Sequence, residues 1–491
     1  MGRKQIFFLL IAFLKTTIII SQQIEIPLKL INTSYSKYPK PKKIFINKNS
    51  LYNIKSFHLL KNSFISDSQT TLSCNIELLN SFLFAAEIEI GSNSQKFDVV
   101  LDTGSEILWV PEVNSINSNP QIERFYNPKN SKTSKNTSKS FEVRYGTGYC
   151  KGYYYQDQIK FLSNEKYDII FGSANNSIFE VDGTEGIMGL AKYYPNYQLS
   201  PLLTLQKKGF LKYTSFSFKY DNKKGNLVFY VGKPHSDFNT KNVAFCNLLN
   251  NNKYEIMLWA CKLSYFGLIK NTSNIYDNNN IIAKADISII LDTGTNSIIL
   301  PYSIINYIEN KLRKYNCVVG SSEDEYDVSY FIVCFDIYNI PDVSLQFGDY
   351  VLILNKYKMF YMVDLGFGIT GYLLNVQFQK DLDVAIIGQN FFIEFHTLFD
   401  AENNVLKFYS EYKGKIINLS NYLEDEENSF STGTTLLLII LILLVIIYFC
   451  HRSYQKKQME ENKYGWMDQN NGNDSKLYNN INARNDYSAM I

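Results

Sequence analysis

One thirteen-residue frame occurs twice in this chain, and it constrains the fold more than any property of the composition. The first copy is Val99-Val100-Leu101-Asp102-Thr103-Gly104-Ser105-Glu106-Ile107-Leu108-Trp109-Val110-Pro111. The second is Ile289-Ile290-Leu291-Asp292-Thr293-Gly294-Thr295-Asn296-Ser297-Ile298-Ile299-Leu300-Pro301. Each reads as an apolar run, Asp-Thr-Gly, a hydroxyl residue, and a second apolar run closed by Pro nine positions after the Asp. The two aspartates are 190 residues apart (292 − 102). A lone Asp-Thr-Gly is usually a turn after a strand. Two copies in matched frames demand more, because a carboxylate flanked by buried strand sequence is costly unless it is hydrogen-bonded or functional.

If two lobes bring Asp102 and Asp292 together, like-charge repulsion stops both ionising at once and the pair shares one proton. That arrangement suits peptide hydrolysis. The ionised member takes a proton from a water, and the protonated member donates to the scissile carbonyl oxygen. Gly104 and Gly294 lack a Cβ, so backbone N–H groups can approach the carboxylates. Ser105 and Thr295 can donate hydroxyl hydrogen bonds to the carboxylates, which favours the ionised form and an acidic working range. Thr103 and Thr293 can cross-brace the loops.

With these residues the chain resembles the pepsin-like aspartic proteases over about residues 75–420. Phe141-Glu142-Val143-Arg144-Tyr145-Gly146-Thr147-Gly148 resembles that family's flap hairpin. The resemblance implies that Tyr145, with Gly146 and Thr147, covers the substrate and that Trp109 supports the flap. Gly186–Ala191 and Ala385–Phe392 resemble the paired segments behind the two catalytic loops, and Thr397–Asp400 the closing strand. Glu185 and Gln389 stand where the family commonly has Asp, which bears on local packing and not on the dyad. The implied fold is all-β and bilobal, with two related β-barrel-like lobes, a cleft between them and no metal or organic cofactor. The implied partners are protein or peptide substrates, cut by a monomeric catalytic domain.

The residues outside the motifs fit this frame. Hydrophobic content is 45% over 491 residues, enough for sizeable cores. Short β-branched and aromatic runs split by Gly, Asn and Asp give an all-β pattern, and Pro301–Tyr315 is the clearest candidate helix. Gly225–Gly232 is a plausible junction between lobes. A net charge of +2 argues against a nucleic-acid binder. That total conceals an asymmetry. Residues 22–66 carry eight Lys and one acid, net +7, whereas residues 67–433 carry 32 basic and 41 acidic side chains, net −9. The basic segment reads either as a solvated linker or, from the resemblance, as an inhibitory prosegment whose first strand, from Ile24, joins the central sheet. Lys55 and Lys61 are its candidates for pairing with the dyad.

Residues 1–21 read as a secretory signal peptide. The expected order is then propeptide 22–66, amino-terminal lobe 67–224, carboxy-terminal lobe 225–423 and acidic linker 424–433. The uncharged run 434–450 suits one transmembrane helix, and the tail 451–491 is polar. Basic residues just after the run place that tail in the cytoplasm. The result is a single-pass type I protein of the secretory or endolysosomal pathway or the cell surface. Three Tyr-x-x-apolar patterns at Tyr464, Tyr478 and Tyr487 suit sorting adaptors. Sequons at Asn32, Asn136, Asn175, Asn271 and Asn418 are candidates for glycosylation. Six cysteines lie in the ectodomain, an even number that suits disulfides and allows 15 pairings. The resemblance implies Cys317–Cys334, and with that bridge assigned the expected remaining pairs are Cys246–Cys261 and Cys74–Cys150. There is no CxxC, and the four His are scattered, so no metal motif is visible. The competing reading is a pepsin fold that binds peptides without cutting them; intact Asp-Thr-Gly in both lobes argues against it.

Overall fold

A computed structural model describes residues 24–32, 42–47, 71–76, 82–117, 122–145, 148–162, 165–178, 184–221, 226–232, 234–270, 274–275, 277–323, 328–336, 338–365, 370–420, 440 and 442–459. Two large sheets form the body. The first has thirteen strands. From one edge they run Val243–Asn247, Val405–Tyr409, His396–Asp400, Phe216–Asp221, Asn226–Val231, Ile24–Asn32, Phe82–Ile90, Gln95–Asp102, Gly186–Gly189, Leu108–Asn117, Tyr167–Ile178, Gly148–Lys160 and Lys135–Tyr145. The second sheet has fourteen. Its main path runs Ile416–Asn418, Tyr350–Leu354, Asp342–Phe347, Ala260–Ile269, Ile281–Leu291, Ala385–Ile387, Ile298–Pro301, Val376–Gln379, Val328–Cys334, Cys317–Glu323, Lys42–Asn47 and Thr71–Ile76.

Strand patterning explains the layers. In Phe82–Ile90 the side chains of Ile88 and Ile90 are buried, while Glu87 and Glu89 point out to Lys96 and Lys160. The strand turns at Gly91–Ser94, where Gly91 has φ +87°, and returns antiparallel with Ile90 opposite Gln95. An aromatic core lies where strands from both halves of the chain meet. Phe216 stacks on Phe399 at 4.8 Å between centroids, and Trp259 packs edge-on to both. Such pairs each add about 0.5–1.5 kcal/mol beyond the burial of their area. The candidate helix forms as an α-helix over Tyr302–Leu312, extended by a 3₁₀ turn over Arg313–Tyr315. Its buried face is Ile304, Ile305, Ile308 and Leu312, the helical repeat expected of an amphipathic element.

The strand Ile24–Asn32 enters the first sheet as expected, between Asn226–Val231 and Phe82–Ile90. The next two strands were not anticipated. Lys42–Asn47 pairs with Cys317–Glu323, and Thr71–Ile76 pairs in turn with Lys42–Asn47, so both extend the second sheet. The signal-peptide stretch, Lys55 and Lys61, the flap-tip residues Gly146 and Thr147, and the three Tyr-based patterns lie outside the described residues. So do 434–439 and 441 of the expected membrane span. Residues 440 and 442–459 are helical, and among the described residues no helix is long and apolar enough to cross a membrane.

Two of the three expected disulfides are present. Cys317–Cys334 joins neighbouring strands of the second sheet, and Cys246–Cys261 links a strand of the first sheet to one of the second. The third expectation, Cys74–Cys150, is corrected: Cys150 is a free, fully buried thiol. Cys74 sits on Thr71–Ile76, which pairs into the second sheet, whereas Cys150 sits on the flap's return strand in the first. Burial also pushes the Cys150 thiol up to about 12, which makes it a poor nucleophile. Alkylation of the folded protein should therefore leave Cys150 unmodified, and denaturation without reductant should expose it. A disulfide-linked Cys74–Cys150 peptide in a non-reducing digest would contradict this assignment.

Candidate active site

The two repeated frames fold identically. Val99–Asp102 pairs in parallel with Gly186–Gly189, and Ile289–Leu291 pairs in parallel with Ala385–Ile387. Each inner strand also pairs antiparallel with the strand leaving its own Asp loop, at Ile187–Trp109 and at Ile386–Ile299. The loops meet through their threonines. Thr103 N–H donates to Thr293 Oγ1 at 3.1 Å, and Thr293 N–H donates to Thr103 Oγ1 at 3.0 Å. The Thr103 hydroxyl donates to Leu291 O at 2.7 Å, and the Thr293 hydroxyl to Leu101 O at 2.6 Å. Both threonines are fully buried, so all four bonds are shielded from water.

The carboxylates are held in the same symmetric way. Asp102 Oδ1 accepts from Gly104 N–H at 2.9 Å, and Asp292 Oδ1 from Gly294 N–H at 2.8 Å. Asp102 Oδ2 accepts from the Ser105 hydroxyl at 2.5 Å, and Asp292 Oδ2 from the Thr295 hydroxyl at 2.6 Å. Each glycine faces the opposite carboxylate. A Cβ on Gly104 would lie 2.6 Å from Asp292 Oδ1, and one on Gly294 would lie 2.6 Å from Asp102 Oδ1. No side chain larger than hydrogen fits there.

The hydroxyl donors do not set the protonation of Asp102. Burial first, and then the facing Asp292 charge, hold the Asp102 carboxyl well above the usual carboxylate range. The Ser105 and Gly104 donors pull the other way and are outweighed. The expectation that the donors alone would favour the ion is therefore corrected for this residue.

Above the first loop, Trp109 Nε1–H donates to the Tyr145 hydroxyl at 2.9 Å. Tyr145 closes the outgoing flap strand opposite Gly148. Trp109, Phe141, Cys150 and Ile187 form a small apolar cluster against which Val143, Tyr145 and Tyr154 pack. The flap thus stands on a packed base.

Three supporting contacts are not legible in the sequence, which marks Glu185 and Gln389 only as departures from the family pattern. Arg124 donates to Asp98 Oδ2 at 2.9 Å and to both Glu185 oxygens, while Glu185 Oε2 accepts the Asp98 N–H at 2.7 Å. The longer side chain at 185 is accommodated by this partly buried network. Gln389 donates from Nε2 to Thr293 O at 2.9 Å, so the expectation that position 389 bears on packing alone is corrected: it touches the second Asp-Thr-Gly motif. Trp259 Nε1–H donates to Leu190 O at 2.7 Å, and its carbonyl accepts the Leu291 N–H at 3.0 Å, so one residue spans both loops. Its sequence signal was only that it is one of three Trp.

Compared with known proteins, residues 83–410 match the family described as eukaryotic aspartyl protease. The chain is 28% identical over 354 residues to Pepsin II-2/3 of Oryctolagus cuniculus, covering 69% of this chain and 84% of that protein. It is 26% identical over 339 residues to the vacuolar aspartic protease of Candida albicans, covering 67% and 75%. It is 25% identical over 354 residues to vacuolar protease A of Aspergillus fumigatus, covering 69% and 82%.

The raised Asp102 pKa makes a stability prediction. A carboxyl with a raised native pKa contributes stability that is complete below the ordinary carboxylate value and is lost as pH rises through the raised value. Asp102→Asn cannot ionise and escapes that loss. Its melting temperature should exceed the wild type's near neutrality, and the gap should close on acidification. A gap that does not change with pH rejects the assignment.

Proposed function

The chain belongs to the eukaryotic aspartyl protease family and is an aspartic-type endopeptidase, and we propose that Asp102 and Asp292 are the pair that does its chemistry. The supporting observation is their mutual contact across the threonine brace, with Gly104 and Gly294 each facing the other carboxylate. Asp102, kept protonated by burial and its neighbour, donates to the scissile carbonyl oxygen of a protein or peptide substrate. Asp292 takes the proton from the attacking water. Tyr145 covers the substrate, and Trp109 holds its hydroxyl. The upper limb of the activity profile follows the raised Asp102, and the lower limb follows protonation of both carboxyls. Asp102→Asn and Asp292→Asn should each lower kcat by at least about 10²–10⁴-fold while the protein stays folded and still binds pepstatin or a similar transition-state peptide mimic. Cleavage retained by either folded variant would overturn the mechanism. A wild type that binds the mimic but cuts no member of a peptide library would favour the silent binding protein.

The chain is further read as a membrane-anchored zymogen of the secretory or endolysosomal pathway. Two of the relatives carry vacuolar in their names, which supports that route. The +7 segment at 22–66 is attracted to the −9 body above the carboxylate range, and the attraction is lost as acid protonates the body's carboxylates. The uncharged 434–450, with basic residues after it, supports a single span with the tail in the cytoplasm. On intact cells a tag after Ile491 should be labelled only after permeabilisation, and acidification of isolated vesicles should shorten the amino end without releasing the tagged carboxy end from the membrane. A surface-labelled tag rejects the topology; an amino end that acid leaves intact rejects the zymogen.

A further inference from the structure

Two of the chain's four histidines come together far from each other in sequence. His235 and His396, 161 residues apart (396 − 235), converge on one carboxylate. His235 Nδ1 lies 3.1 Å and His396 Nδ1 3.2 Å from the same oxygen, Asp237 Oδ2. The three donor atoms all lie within 4.8 Å of one another. His235 and Asp237 stand at the start of the 3₁₀ turn Ser236–Asn239, and His396 opens the strand His396–Asp400. None of the three belongs to the Asp loops or the flap.

We propose that His235, Asp237 and His396 form a site for a divalent transition-metal ion of the zinc class, with water completing the coordination. The donor set decides the class: two imidazoles and one carboxylate suit zinc and its neighbours rather than magnesium or calcium, which take oxygen ligands. Spacing agrees. A tetrahedral ion with bonds of about 2.0–2.1 Å sets its ligand atoms about 3.3–3.4 Å apart, close to two of the separations found. The ring nitrogens are also turned the right way. His235 Nδ1 carries no proton, since it accepts the Asp237 N–H in a long 3.3 Å bond that an ion would have to displace, and it lies beside the Asp237 carboxylate. His396 Nε2 has Ser217 Oγ as partner at 3.0 Å, which leaves Nδ1 for the centre of the cluster. Metal-binding imidazoles commonly have such an outer partner on the far nitrogen.

A simple capped carboxylate is the competing account, since Lys219 Nζ also lies 2.7 Å from Asp237 Oδ2. Lys219 is not committed to that oxygen alone. It also lies 3.3 Å from Glu411 Oε1 and can keep that partner when Asp237 turns to an ion. An ion here would clamp the turn at 236–239 to the strand that follows Gln389–Glu394, the helix whose first residue bonds Thr293 O.

The test uses untagged full-length protein in detergent, treated with chelator and dialysed. Zinc is titrated calorimetrically, and cobalt is added in parallel to read its visible absorption. Wild type should bind one equivalent, with the intense cobalt absorption of a four-coordinate site. His235→Ala, at a partly exposed position, should weaken binding by at least about tenfold, while the metal-free protein, lacking the cap on Asp237 N–H, melts lower but still cooperatively. Asp237→Asn should do the same and serves if the first variant does not fold. Lys219→Met, which removes the competing cation, should bind more tightly. No binding by wild type, binding indifferent to His235→Ala and Asp237→Asn, or no tightening in Lys219→Met each overturns the proposal.

Discussion

Two carboxylates pressed together in a buried site repel, and the body of this protein is organised around holding them there. At 4 Å and an effective dielectric of about 20 the repulsion of two full charges is about 4 kcal/mol. Four buried hydrogen bonds between the threonine loops, each worth about 1 kcal/mol net, are of the same size and no larger. The brace therefore holds the loops in register, and a shared proton removes what the brace cannot. Burial and the facing Asp292 charge hold the Asp102 carboxyl well above the usual carboxylate range.

Neither half stands alone. Strands from late in the chain, Val243–Asn247, His396–Asp400 and Val405–Tyr409, complete the sheet that carries the first Asp loop. The Cys246–Cys261 bridge crosses from that sheet to the other. Trp259, two residues before Cys261, bonds to Leu190 behind the first loop and to Leu291, which leads into the second. Covalent, aromatic and hydrogen-bonded ties thus converge within a few residues of one another, close to the region where the two loops must not drift apart.

What could be read from residue order was whatever is local or repeated. The Asp-Thr-Gly frames, the bracing threonines, the Trp109–Tyr145 contact, the amphipathic Tyr302–Leu312 helix and two of the disulfides were all legible, because each follows from a motif, its family resemblance or a short-range pattern. Tertiary placement was not. Cys150 looked like a partner for Cys74 until the strand bearing Cys74 proved to pair in the second sheet. Arg124 sits in an ordinary polar stretch, and only the fold brings it to Asp98 and Glu185. The Ser105 hydroxyl beside Asp102 suggests an ionised carboxylate, since a donor is visible in sequence and burial is not. The His235–His396 convergence depends on strands distant in the chain, so scattered histidines gave no hint of it.

The position of Ile24–Asn32 has a consequence for how this protein could ever be assembled from parts. The strand is shared end to end between two neighbours: Ile24–Leu28 pairs with Leu227–Val231, and Lys29–Asn32 pairs with Phe82–Ala85. Withdrawing it would leave two strand edges without a partner, one along Leu227–Val231 and one along Phe82–Ala85. Such edges recruit any chain that can pair with them. The slot is a template with a defined polarity and register. A stretch from elsewhere in the same chain could refill it, and a short peptide supplied in trans could do the same. Covalent continuity at this strand is thus less important to the fold than occupancy.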